Sequence, residues 1–116
     1  MISTALTEKG ERMNSRAKGK RGELMLAKVL REHGYDARRG VQYQGGTDSP
    51  DVVGIPGFHI ECKFVEALSV RKAMYQSIRD AGDKIPTVMW KKSNEPWLVV
   101  MRLDDFMEVI KEHGDK

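Results

Sequence analysis

Apolar and polar positions alternate most strictly over Phe58-His59-Ile60-Glu61-Cys62-Lys63-Phe64, the period of a strand with one face on a core. Upstream, Leu26, Ala27 and Leu30 recur at helical spacing between about Arg16 and His33, and Gly34 supplies the stop. Glu23 falls on the inward edge of that stripe. Residues 1–15 show no apolar periodicity and predict a flexible basic N-terminal arm. Tyr35 to Tyr43 reads as a strand, and Gln44 to Ser49 as a loop. Leu68 to about Ala81 predicts a second helix closed by Gly82. Pro86–Trp90 and Pro96–Met101 predict two further strands, joined by the polar turn Lys91 to Glu95. A last helix runs from Asp104 to about His113, with Phe106, Val109 and Ile110 turned inward. The order α-β-β-β-α-β-β-α predicts one α/β (α+β) domain over residues 16–116, with a mixed sheet of about five strands flanked by helices.

The alternation puts Glu61 and Lys63 on one face, with Cβ atoms about 6.5 Å apart. Where Asp51 points depends on the turn before them. A two-residue hairpin at Pro56-Gly57 would oppose Val52 to Glu61 and send Asp51 to the other side of the sheet. Pro-Gly favours a type II turn, which suits tight hairpins poorly, and glycines flank Ile55-Pro56. A wider loop or bulge shifts the pairing by one residue and sets Asp51 beside Glu61; this register is the expected one.

Charge changes the picture. The 116 residues carry a net charge of +3, unevenly placed. Residues 1–40 hold ten basic side chains (Lys9, Arg12, Arg16, Lys18, Lys20, Arg21, Lys28, Arg31, Arg38, Arg39) against five acids, whereas residues 41–70 hold Asp48, Asp51, Glu61 and Glu66 against Lys63. A basic lead into an acidic centre suits a protein that attracts a polyanion and holds a divalent cation where it acts; a merely solvated basic terminus would look the same on charge alone. Arg16, Lys18, Lys20 and Arg21, joined by Arg38 and Arg39, are the expected phosphate contacts, which position nucleic acid without reading its sequence. The single cysteine, Cys62, excludes an internal disulfide and fits a reducing compartment as a small core residue. No apolar run has the length of a membrane span and residues 1–10 lack the apolar middle of a signal peptide, so the expected location is cytoplasmic.

Carboxylates converging with one lysine meet the needs of phosphodiester hydrolysis. Mg²⁺, for which Mn²⁺ substitutes, takes one or two carboxylates from a protein and keeps several waters. Asp51 and Glu61 are its expected ligands, with the Cys62 carbonyl as a third. Lys63 would orient the attacking water, and Glu23 would complete the cluster. Glu61 and Lys63 as an exposed pair and Asp51 as a strand-start cap is the plainer alternative. His33, His59 and His113 lack ligand spacing, although His59 shares the Glu61 face. Trp90 and Trp97 flank a turn and read as packing residues.

Pro50-Asp51 followed by Glu61-Cys62-Lys63 resembles the motif of the PD-(D/E)XK nuclease superfamily, on the strand pair that carries it there. Glu23 on the first helix, after Lys18-Gly19-Lys20-Arg21-Gly22, resembles the opening motif of the archaeal and phage Holliday junction resolvases. The resemblance spans roughly residues 16–110 and includes Gln76 on the following helix. It implies a restriction-endonuclease-like core, a Mg²⁺-dependent homodimer without a small-molecule cofactor, and paired nicks in a four-way DNA junction. It also implies a functional serine before the acid strand, for which Ser49 is the nearest match. Gln76 would touch the attacking water or a phosphate, or stand as a helix-surface residue. Three readings remain beside a junction resolvase: a general phage nicking or restriction-like endonuclease of the same fold, a non-catalytic nucleic-acid-binding module, and a basic protein-interaction domain.

Overall fold

Leu26, Val52, Ile60 and Val88 are each at most 1% exposed, and burial of each contributes on the order of 2 kcal/mol. The computed structural model describes the backbone of residues 2–40 and 50–114, and side chains from residue 17 to residue 113 within those ranges. Among the described residues three helices, α1 (Ile2–Glu32), α2 (Val70–Ala81) and α3 (Leu103–Gly114), accompany five strands, β1 (Arg38–Arg39), β2 (Val52–Val53), β3 (Phe58–Phe64), β4 (Ile85–Lys91) and β5 (Leu98–Val100). The element order is the predicted α-β-β-β-α-β-β-α. The strands form one mixed sheet in the order β1-β2-β3-β4-β5, with β3 and β4 parallel and the other pairs antiparallel. Parallel neighbours need a crossover, and α2 is that crossover.

The alternation along β3 divides the molecule into two layers. Ile60 and Cys62 face α1, where Leu26 and Ala27 pack with Val52 and Met89. Glu61 pairs with Val88 and Lys63 with Trp90, on the face that Ala73 and Met74 of α2 cover. Glu61 therefore points into the layer between sheet and α2. In β4, Pro86 to Met89 are buried on both faces, as expected of a strand between two helical layers.

Three expectations change. α1 begins at Ile2 rather than near Arg16, so the stretch read as an arm continues the helical backbone; Ala5, Leu6, Glu8, Lys9 and Glu11 are helix formers whose propensity needs no apolar stripe. Of the strand expected over Tyr35–Tyr43, Arg38–Arg39 is strand among the described residues, which here run to residue 40. Gly34 adopts φ +98° and Tyr35 N–H still bonds Leu30 O, so the helix exit occupies residues the alternation had assigned to the strand. Residues 41–49, with Ser49 and the expected loop, lie outside the described residues. Finally, Phe106 and Ile110 are about half-exposed instead of turned inward. Among the described residues α3 packs closely on no other element. No helix among the described residues is long and apolar enough to cross a membrane.

Candidate active site

The register of β2 against β3 decides the site. Val52 pairs with Ile60, which places Asp51 directly across from Glu61. Four residues, 54–57, separate the strands. Ile55 O accepts the N–H of Phe58 at 3.2 Å across Pro56-Gly57, and Gly57 takes φ +85°, the conformation that position i+2 of a type II turn requires. The expected one-residue shift is therefore the observed one. It is supported at the far end, where Asp51 N–H donates to Ile60 O at 2.9 Å.

Asp51 is anchored on its own carboxylate. Its Oδ2 accepts the Cys62 N–H at 2.8 Å, and its carboxyl hydrogen-bonds that of Glu61. Burial, then the neighbouring Glu61 charge, pushes the Asp51 carboxyl up to about 6. Burial likewise raises Glu61, against the pull of the Asp51 hydrogen bond and of Lys63. Two carboxyls this close keep a proton to higher pH than either would alone, because two negative charges so close repel. A divalent cation answers the same repulsion, and hard oxygen donors are the set that Mg²⁺ takes, so the residues fit that ion. Among the described residues no three acid, histidine or cysteine side chains converge as a complete metal cage. Mg²⁺ does not require one.

The other expected residues divide. Lys63 acts electrostatically on both Asp51 and Glu61 and joins them. Glu23 reaches the cluster from α1, near enough to act on Asp51, yet its Oε1 is held by Arg39 Nε at 2.6 Å. Burial raises the Glu23 carboxyl while the Arg39 hydrogen bond lowers it. Arg39 is thus tied to the acidic cluster as well as being a candidate phosphate contact, and Arg38 pairs with Asp36 at 3.5 Å at the surface. Burial pushes the Cys62 thiol up to about 12, which fits a packing role. Gln76 is half-buried on α2, one turn before Asp80.

A cleft of about 820 Å³ opens beside Cys62 and Lys63, and its floor is Phe64. Lys18 Nζ lies 5.0 Å, Lys91 Nζ 5.6 Å and Arg21 Cζ 5.8 Å from the centre of that ring. Two of the expected phosphate contacts, Lys18 and Arg21, therefore border β3. Lys20 is exposed and the Arg16 side chain lies outside the described ones. Gly22 is closely packed and leaves no open room for a ligand. A Cβ there would come 2.7 Å from Phe64 Cβ, so the missing side chain is what seats Phe64. Trp90 and Trp97 pack as expected: Trp90 Nε1–H donates to Val65 O at 2.8 Å and Trp97 leans on the α1-side core.

Two residues were passed over. His59 is 2% exposed and its Nε2 lies 3.1 Å from Glu61 Oε1, so it is part of the cluster and not incidental. Its sequence signal was its place two residues before Glu61 on the same strand face. Asp80, its side chain 6% exposed, brings another acid from α2 and acts electrostatically on Glu61. Helical spacing from Ala73 and Ser77 already put Asp80 on the buried side of α2.

Comparison with known proteins agrees with this arrangement. No curated protein and no solved structure matches the chain. Residues 14–116, most of the chain, match the sequence pattern of a family described as "Phage putative PDDEXK endonuclease". With Pro50-Asp51 and Glu61-Cys62-Lys63 gathered on adjacent strands, the chain belongs to that phage PD-(D/E)XK endonuclease family.

Proposed function

We propose that this protein is a Mg²⁺-dependent, structure-selective DNA endonuclease that cuts paired strands of a four-way junction as a homodimer. One observation carries the hydrolytic reading: Asp51 stands across from Glu61 with the carboxyls in hydrogen-bond contact, and Lys63 acts on both. Asp51 and Glu61 would hold the cation, with the Cys62 carbonyl as third ligand. When bound, Mg²⁺ polarises the scissile phosphoryl group and makes water a better nucleophile at neutral pH. Lys63 donates to the attacking water and offsets charge gathering on the phosphate. The Asp51 carboxylate is kept in place by the Cys62 N–H, so it need not reorganise during the reaction. Glu23, steadied by Arg39, keeps the approach to Asp51 polar, and Gln76 of α2 would contact the water or a phosphate.

The cleft lined by Lys18, Arg21 and Lys63 is the proposed path for the phosphates next to the cut. Junction selectivity rests on Glu23 and the basic run before it, in the pattern resembling the resolvases. The exposed apolar residues of β5 and α3 supply a surface on which a second copy would bring the second site that paired cutting needs. The family match favours a second reading, a phage endonuclease that nicks other branched or linear DNA, since its description specifies no DNA structure. Incubating the protein with a four-way junction, a nicked duplex and a linear duplex of equal length, with Mg²⁺ or with EDTA, separates the readings. Paired nicks confined to the junction support resolution, and equal cutting of all three supports the general endonuclease. Binding without cutting in Mg²⁺ and in Mn²⁺ defeats both.

A further inference from the structure

We infer that His59 is the positioning residue of Glu61, its buried imidazole fixing the carboxylate in the orientation that receives a divalent cation together with Asp51. The inference rests on the hydrolytic reading above and extends it to a residue outside the PD-(D/E)XK pattern. His59 and Glu61 are two apart on β3, so they rise from the same face of the sheet. Both are almost fully covered, 2% and 4% exposed, and Nε2 lies 3.1 Å from Oε1. Facing an ionised carboxylate, Nε2 is the donor.

Glu61 needs such a donor more than an ordinary buried acid does. Asp51 lies across the strand pair, and Asp80 acts on Glu61 from α2, so an ionised Glu61 stands between two acids. Asp80 Oδ2 is itself buried without a hydrogen-bond partner among the described residues. Lys63 offsets part of that repulsion and is only partly buried, so it can also serve the substrate side. The imidazole is held from below the surface and cannot be exchanged for water. It engages one Glu61 oxygen while the carboxyl contacts Asp51, so the carboxyl is held from two sides. Partners that orient a metal-binding side chain are typically worth about 10- to 100-fold in metal affinity.

The alternative is that His59 and Glu61 only satisfy each other's polar groups in the fold. Direct Mn²⁺ binding by calorimetry near neutral pH separates the two, because it reads cation affinity without catalysis. The variants are His59→Leu, which removes the donor, His59→Gln, whose amide nitrogen reaches as far as Nε2, and His59→Asn, which falls short. Wild type is expected to bind Mn²⁺, with His59→Gln within about threefold and His59→Leu and His59→Asn about 10- to 100-fold weaker. Junction binding in EDTA should stay at the wild-type level in all three. Folded His59→Leu that binds Mn²⁺ as tightly as wild type overturns the inference and leaves the nuclease reading standing. If His59→Leu does not fold, the Gln and Asn pair decides: separated affinities support positioning, equal ones overturn it. A wild-type protein that binds no Mn²⁺ and cuts no DNA defeats the hydrolytic reading itself, and the inference with it.

Discussion

Asp51 lies opposite Glu61 across the β2–β3 pair, and the two carboxyls touch. That placement follows from one extra residue in the turn at Pro56-Gly57, and the chemistry depends on it. Replacing Asp51, Glu61 or Lys63 by Ala is expected to lower junction cleavage by at least about a hundredfold each, the scale of losing a preorganised electrostatic contact. Binding to the junction in EDTA should change little. Gel assays of cleavage and of mobility shift on the same preparations check both halves.

The Asp51 carboxyl, pushed up to about 6 from an ordinary 3.8, also links stability to pH. The folded chain holds this proton more tightly than the unfolded chain does. Its stabilising contribution is therefore complete below about pH 4 and is lost as pH rises through about 6, a swing on the order of 3 kcal/mol. Asp51→Asn, which keeps an oxygen for the Cys62 N–H, is expected to raise the melting temperature in EDTA at neutral pH by several degrees while destroying cleavage. Mg²⁺ or Mn²⁺ should raise the wild-type melting temperature more at pH 8 than at pH 5. Thermal melts across pH, with and without cation, measure this, and no cation effect at pH 8 would contradict it.

Arg39 holds Glu23 at 2.6 Å, with the Glu23 side chain 16% exposed. Arg39→Ala leaves a mostly covered acid beside Asp51 without its counterion and should cost about 1–2 kcal/mol. In Glu23→Gln the same Arg39 change should cost distinctly less. A double-mutant cycle in urea gives the coupling directly, and a coupling near zero would show that the pair is incidental.

Gly22 seats the Phe64 side chain at 2.7 Å from where a Cβ would stand. Because the clash is with Phe64 Cβ, which cannot move without the β3 backbone, Gly22→Ala is expected to cost about 1–3 kcal/mol. It should also weaken DNA binding, since Lys18, Arg21 and Lys91 are arranged around the displaced ring. Gly19→Ala meets nothing within 4 Å and serves as the control.

Leu98, Val99, Leu103, Phe106, Met107 and Ile110 are about half-exposed or more, Leu103 at 70%. The homodimer proposal predicts that Leu103→Asp with Phe106→Asp yields a folded monomer by light scattering, retaining single nicks and losing paired cuts. Wild-type protein that is monomeric at micromolar concentration and still makes paired cuts would contradict it.

Much of this protein was determined by local sequence. Period-2 alternation over Phe58–Phe64 set which side chains of β3 face each layer, and Gly34 and Gly82 marked two helix ends, because these depend on covalent geometry and short-range sterics. Even the register was legible, since Pro-Gly chemistry disfavoured the tight hairpin that would have separated Asp51 from Glu61. Tertiary structure decided what crosses long stretches of chain. It joined Glu23 to Arg39, sixteen residues on, and gave the Gly22 space to Phe64. It also closed α2 over the Glu61 face, which turned His59 from a solvent-facing strand residue into a buried partner and brought Asp80 beside it. Burial made these contacts consequential: a histidine or an acid is inexpensive in water, and its position carries free energy only after a second layer has removed the water.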